Sequence, residues 1–243
     1  MNKDLPHYEF MYDSSSWSTY DFEFQDRFNR CSYVDQTTKR RTIYPEARYR
    51  ENDVFAGTEW PKIFHSTDGG VNGCGHIWTD DFNWTIDAPE TPNSILALVC
   101  LDSANLQKSN DLCKKETHPA TYDFRGKTLT VYLSTAVTQG LSLDLKGGKC
   151  QFWIYTSLFN AGTRFHHRQP LNIPINDWGS NKVVLENQEA KWRRSWPSPD
   201  TYDIACATLD ECLGNVVNFG ISFVDFRGKV TGILKMSEFK ITD

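Results

Sequence analysis

Arg164, His166 and Arg168 alternate along Thr163-Arg164-Phe165-His166-His167-Arg168, and a period of two predicts a β-strand with all three basic side chains on one face. Trp178 follows, and then the run Lys191-Trp192-Arg193-Arg194-Ser195-Trp196. Guanidinium groups recognise carboxylates through paired hydrogen bonds, and imidazole exchanges hydrogen bonds with hydroxyls. Aromatic faces offer flat apolar surface to the C–H side of a sugar ring. Arg164, His166, Arg168, Trp178, Trp192, Arg193 and Trp196 therefore form the candidate ligand-binding set, suited to an acidic sugar or an acidic protein patch. The competing expectation is a solvated strand face with edge-blocking charges, backed by core tryptophans.

The same residues allow one catalytic chemistry, in which an arginine neutralises a uronate carboxylate while His166 or a tyrosine removes the adjacent proton. No second motif supplies a matched acid and base. Adjacent Asp80 and Asp81 face opposite sides of an extended chain, and Asp210 with Glu211 is explained by helix-start electrostatics. There is no P-loop, no G-x-G-x-x-G and no G-x-S-x-G. No catalytic residue is assigned; a lyase or glycoside hydrolase acting on an anionic glycan is the alternative to a non-catalytic binder. Cys74-Gly75-His76 offers two metal ligands without a matching pair, and neighbouring His166 and His167 point to opposite faces. No metal or cofactor is expected, save a structural Ca²⁺ that Glu238 and loop carboxylates could hold through hard oxygen ligands.

These residues must be positioned by strands. Short alternating or apolar segments recur between turn signals: His76–Thr79, Trp84–Asp87, Ile95–Leu101, Thr128–Leu133, Gln151–Tyr155, Thr163–Arg168, Val183–Leu185, Val216–Phe223 and Val230–Ile241. Asp68-Gly69-Gly70-Val71-Asn72-Gly73-Cys74-Gly75 is a glycine-dense turn leading into the first of them. In the last segment Leu234 and Met236 share one parity and Phe239 and Ile241 the other, which predicts a β-bulge near Ser237. Thr208-Leu209-Asp210-Glu211 reads as a capping box, with Gly214 near the stop, and predicts one short helix. Three Asp-x-x-Gly sequences, at Asp123, Asp144 and Asp225, read as strand-entry turns. Trp153, between apolar neighbours, is assigned to the core. Many short strands with almost no helix predict an all-β, two-sheet antiparallel β-sandwich over residues 51–243, preceded by an arm or first strands at 1–50.

Aromatic content is 14%, with 8 Trp, 10 Tyr and 15 Phe, and this supply suits sheet cores and flat platforms better than helical bundles. The net charge of −5 argues against a nucleic-acid partner. That total hides an asymmetry, since all of the excess negative charge lies in residues 1–120 and the second half is slightly basic. Seven cysteines without a C-x-x-C pair predict buried thiols, such as Cys100 and Cys150, rather than a disulfide framework or zinc knuckle. No apolar run reaches membrane-spanning length and no secretory signal stands at the start, so cytoplasmic synthesis is expected, with action outside a cell from a virus particle.

Three stretches carry a resemblance. They are Gly75-His76-Ile77-Trp78-Thr79-Asp80 with Trp84–Glu90, Asp123-Phe124-Arg125-Gly126-Lys127 with its strand, and Phe219–Phe223 with Thr231–Phe239. Together they resemble jelly-roll, galactose-binding-like domains, as in carbohydrate-binding modules and phage structural proteins. The resemblance spans about residues 65–243. It implies a jelly roll with a ligand or partner surface on one face, and it transfers no catalytic residue. The expected function is thus a non-catalytic binding protein, a phage virion accessory in capsid decoration or tail attachment with a carbohydrate-binding face. Its partners would be a glycan or other virion proteins, without nucleic acid or membrane, in a homo-oligomer within a larger assembly.

Overall fold

In chain order the strands are β1 (His7–Tyr8), β2 (Trp17–Tyr20), β3 (Ser32–Val34), β4 (Arg41–Ile43), β5 (Ile63–Ser66), β6 (His76–Thr79) and β7 (Asn93–Cys100). They continue with β8 (Thr128–Ser134), β9 (Lys149–Thr156), β10 (Thr163–His167), β11 (Gly179–Val184), β12 (Trp192–Trp196), β13 (Asn218–Phe226) and β14 (Lys235–Thr242). One sheet has the order β11-β8-β14-β6-β5, with β1 added to β14; the other has the order β12-β10-β9-β13-β7-β2. All of these pairings are antiparallel, and β3 pairs separately with β4. The computed structural model describes residues 5–12, 17–20, 32–34, 41–43, 63–79, 93–100, 121–137, 140, 142–159, 162–196, 205–226 and 230–243. The fold is a two-sheet antiparallel β-sandwich of jelly-roll type with one short α-helix, α1 (Leu209–Gly214).

Alternation explains the core. β8 reads Thr-Leu-Thr-Val-Tyr-Leu, and Leu129, Val131 and Leu133 are wholly buried while Thr128, Thr130 and Tyr132 stay half-exposed. The facing sheet contributes Phe152 and Ile154 from β9 and Phe219, Ile221 and Phe223 from β13. The two sheets meet through rings: Phe219 and Phe239 stack with centroids 5.4 Å apart and planes 19° from parallel. Trp17 meets both, edge-on, at 6.1 and 5.0 Å, and Phe124 closes on Phe219 at 5.4 Å. Much of the aromatic surplus is thus inter-sheet packing. Residues 7–8 and 17–20 are strands of the sandwich, one in each sheet.

The bulge anticipated in the last strand is present. The register of β14 against β8 slips between Ser237 and Phe239, so Leu234, Met236, Phe239 and Ile241 all reach the core. The helix begins as anticipated, with the Thr208 hydroxyl accepting from the Glu211 amide and the Glu211 carboxylate accepting from the Thr208 amide. Asp123 and Asp144 each accept the amide two residues on, at 3.0 and 2.8 Å, with a left-handed glycine following. The third copy is different: Asp225 takes positive φ itself and ion-pairs with Arg193, and 227–229 lie outside the described residues. The strand expected at 84–87 also lies outside them.

The Trp192–Trp196 run is a strand that closes the described edge of the second sheet against β10. Trp153 is wholly buried, as assigned, and alternation places it on the face opposite Phe152 and Ile154, across from His166.

Because Phe239 joins both sheets, Phe239→Ala should lower the unfolding free energy by about 3–5 kcal/mol. Urea unfolding followed by fluorescence measures this, and a loss below about 1 kcal/mol would contradict a core centred on that ring.

Candidate functional site

The strand β10 carries Arg164, His166 and the start of the Arg168 turn, as expected, but the face is closed. Arg164 and His166 are each 0% exposed. The Arg164 Nε donates to the Ser195 hydroxyl at 2.8 Å, and Arg193 holds Asp225 at 2.6 Å. Trp192 is a core residue: it packs edge-on against His167 at 4.8 Å, and its Nε1 donates to the Glu186 carbonyl at 2.9 Å. Arg168 is exposed, its Nε donating to the Trp192 carbonyl, and Trp196 is half-buried opposite Arg164. Both the exposed binding face and the solvated strand face anticipated for Arg164 and His166 give way to a buried polar layer. Alternation correctly put these side chains on one face; what period two cannot tell is whether that face is covered.

His166 sits in that layer with neither ring nitrogen hydrogen-bonded among the described residues. Burial first, then the neighbouring Arg164 and Arg193 charges, hold its pKa well below the ordinary value. His167, on the core side, is pushed down to about 4 by burial and by Lys191, opposed by Glu186. A neutral imidazole at zero exposure cannot reach a solvated substrate proton, so the geometry does not equip His166 as a general base.

Trp178 belongs elsewhere, on the outer side of the first sheet, and there it joins a group formed by His76, Trp78, Phe64 and Lys235, none of them among the residues suggested for ligand contact. On β6, His76 and Trp78 point outward while Ile77 and Thr79 point in. Phe64 lies directly across from Trp78 on β5, the two rings 5.6 Å apart and 21° from parallel. His76 lies 5.2 Å from Trp78 and 5.7 Å from Trp178, the latter edge-on. Lys235, the register partner of Trp78 on β14, brings its Nζ to 5.3 Å from the Trp178 ring centre. The result is a row, Phe64–Trp78–His76–Trp178, with a cation beside its middle. Phe64 is 40% exposed, Trp78, Trp178 and Lys235 are half-buried, and only His76 is nearly closed.

The glycine-dense turn fixes this row. The His76 Nδ1 bonds the Asp68 carbonyl at 2.8 Å, and the Trp178 Nε1 donates to the Gly69 carbonyl at 3.1 Å. A carbonyl only accepts, so His76 carries its proton on Nδ1 and presents Nε2 as an acceptor. Burial, then the Lys235 charge, lowers the His76 pKa against the raising effect of the Asp68 bond, which keeps this neutral tautomer near pH 7. The turn is pressed onto β14: the Val71 amide donates to the Ser237 hydroxyl at 3.0 Å, and that hydroxyl donates to the Gly75 carbonyl at 2.9 Å. A Cβ at Gly70 would stand 2.4 Å from the Ser237 Oγ and 2.3 Å from the Gly75 oxygen, so glycine is obligatory there.

Among the described residues, no cation site forms around Glu238. This carboxylate is buried, accepts from Lys240 Nζ at 2.7 Å and from Asn72 Nδ2 at 3.2 Å, and has His7 at 3.5 Å. Burial alone would raise its pKa, but the bonds from Lys240 and Asn72 outweigh it and the shift is downward. Donors already occupy the oxygens that a Ca²⁺ would need, so the residues do not fit that ion. Among the described residues, no group of three or more His, Cys, Asp or Glu gathers as a metal site.

No protein-family model matches the sequence, and no curated protein matches it. Similar solved structures include the family 11 carbohydrate-binding module of a Clostridium thermocellum cellulosomal cellulase, at 12% identity. That likeness covers 76% of this chain and 84% of the module with a TM-score of 0.40. The L4b domain of human laminin α-2 is similar over 62% of this chain and 79% of its own, at 11% identity and a TM-score of 0.32. An exo-β-agarase is similar over 75% of this chain at 12% identity and a TM-score of 0.37, but the likeness spans only 22% of the agarase. The β-sandwich stands on its own sheet order, and the site on its own geometry.

The buried histidines set an acid limit. A folded state that resists protonating His166 and His167 gains nothing from protons that the unfolded chain takes up below pH 6.5. Their contribution is complete above that pH and is lost as the pH falls from 6.5 toward 4. Unfolding midpoints should therefore drop across this window, and His167→Gln should flatten the slope. A midpoint unchanged between pH 7 and pH 4.5 would contradict the burial described.

Proposed function

We propose that the protein is a non-catalytic glycan-binding β-sandwich whose sugar platform is the Phe64–Trp78–His76–Trp178 row on the outer side of the first sheet. The observation that carries this reading is a row of rings on an outer face, in which Phe64, Trp78 and Trp178 are partly exposed and backbone carbonyls hold His76 and Trp178. Sugars are amphipathic, with apolar C–H faces rimmed by hydroxyls. A rigid aromatic row binds the faces with little ordering cost, and the His76 Nε2 acceptor takes a rim hydroxyl. Of the seven residues first suggested for ligand contact, Trp178 is the one on this row. Arg164, His166, Trp192, Arg193 and Trp196 serve the closed layer and the strand edge, and Arg168 lies at the end of β10. A setting in a virus particle, as decoration or attachment protein, has no support in the fold or in the similar structures, and the binding reading does not depend on it.

A polysaccharide panel with the full chain tests the proposal. Binding of at least one soluble polysaccharide is expected, and Trp78→Ala should weaken it about 10- to 100-fold with the melting temperature little changed. Failure to bind any glycan, or binding indifferent to Trp78→Ala, would overturn the platform. Release of reducing or unsaturated sugar ends in the same reactions would instead establish the enzyme alternative.

A further inference from the structure

We infer that the platform selects glycans carrying uronic acid residues, with the sugar carboxylate on Lys235; this rests on the platform's being the glycan site. Lys235 is the register neighbour of Trp78, and its Nζ is 5.3 Å from the Trp178 ring centre. Among the described residues it makes no ion pair, whereas Lys127, Lys146, Lys191 and Lys240 each hold a carboxylate. The bulge explains the difference. It begins after Ser237, so Lys240 turns to Glu238 while Lys235 remains on the regular part of β14, beside the rings.

A cation flanked by aromatic faces is partly desolvated and attracts the one group that can offset its charge. The Asp68 carboxylate, beside the turn that holds His76, accepts the Ser66 hydroxyl at 2.7 Å, and among the described residues no ion pair joins it to Lys235. In a hexuronate the carboxylate stands on the carbon next to the ring oxygen. A pyranose packed on Trp78 and Phe64 can therefore place it at Lys235 while a ring hydroxyl donates to the His76 Nε2.

The second polar group separates uronates from sulfated sugars. The His76 Nε2 is an acceptor and needs a hydroxyl donor, and sulfation replaces a hydroxyl with oxygens that only accept. One ammonium and one acceptor fit a residue with one carboxylate and its hydroxyls intact. A neutral glycan would fill the rings but leave Lys235 without its counter-charge.

Titration of the full chain with oligogalacturonate, alginate oligosaccharides, a neutral β-glucan and dextran sulfate tests this, using wild type and Lys235→Met. Methionine keeps the apolar stem against Trp178 and removes only the charge. Uronate affinity should fall about 5- to 10-fold in Lys235→Met, and in wild type at high salt, while neutral-glycan affinity changes less than about 2-fold. Equal uronate binding by both chains, or preference for dextran sulfate or neutral glucan, would overturn the uronate assignment and leave the platform intact. Absence of binding to all four would overturn both. Matching melting temperatures confirm that Lys235→Met is folded.

Discussion

Ser237 is where the architecture is decided. Met236 and Phe239 are three positions apart, so a regular strand would send one of them to solvent, yet the core needs both. The bulge at Ser237 resolves the conflict, and the hydroxyl exposed by that irregularity becomes the anchor for the 68–75 turn. The Gly75 carbonyl and the Ser237 hydroxyl crowd Gly70, and the Phe10 and Ser66 carbonyls crowd Gly75, which explains both glycines. From that anchor follow the Asp68 and Gly69 carbonyls, and from them the orientation of His76 and Trp178. Core packing and site geometry are thus joined at one residue.

The sandwich treats its two outward faces differently. On the second sheet, Arg164, His166, Gln151 and Ser222 are buried; Arg164 Nε, Gln151 and Ser222 bond to the protein itself, and His166 is closed off without a bond among the described residues. A buried guanidinium needs such partners, and a histidine there stays neutral because no charge compensates it. On the first sheet the polar atoms near the rings are fewer, but the His76 Nε2 has no hydrogen bond and the Lys235 ammonium no ion pair among the described residues. Binding requires groups left over after folding, and only the first sheet has them in this arrangement among the described residues.

Much of the fold was legible because strand periodicity, turn chemistry and capping are local. The capping box at Thr208 and Glu211, the parity switch at Ser237 and the turns at Asp123 and Asp144 are each written within a few residues. The site was less legible. Arg164 and His166 do share a face, while Arg168 falls in the bend after β10; whether that face is covered depends on the whole chain. His76 and Trp78 announced an outward face by the same alternation. Their partnership with Phe64, Trp178 and Lys235 spans more than a hundred residues, and it arises from the register of β5, β6 and β14 together with the bond from Trp178 to the Gly69 carbonyl. Concentration of basic residues drew attention to a layer that the fold buries; a lysine beside rings is a weaker signal in sequence and a stronger one in space.

The most direct measurement of where this protein meets a glycan is the set of indole N–H resonances during titration with a bound oligosaccharide. The Trp78 and Trp178 signals should shift and saturate together, with Trp153 and Trp192 unmoved. Shifts confined to Trp153, Trp192 or Trp196 would place the ligand on the second sheet and contradict the platform.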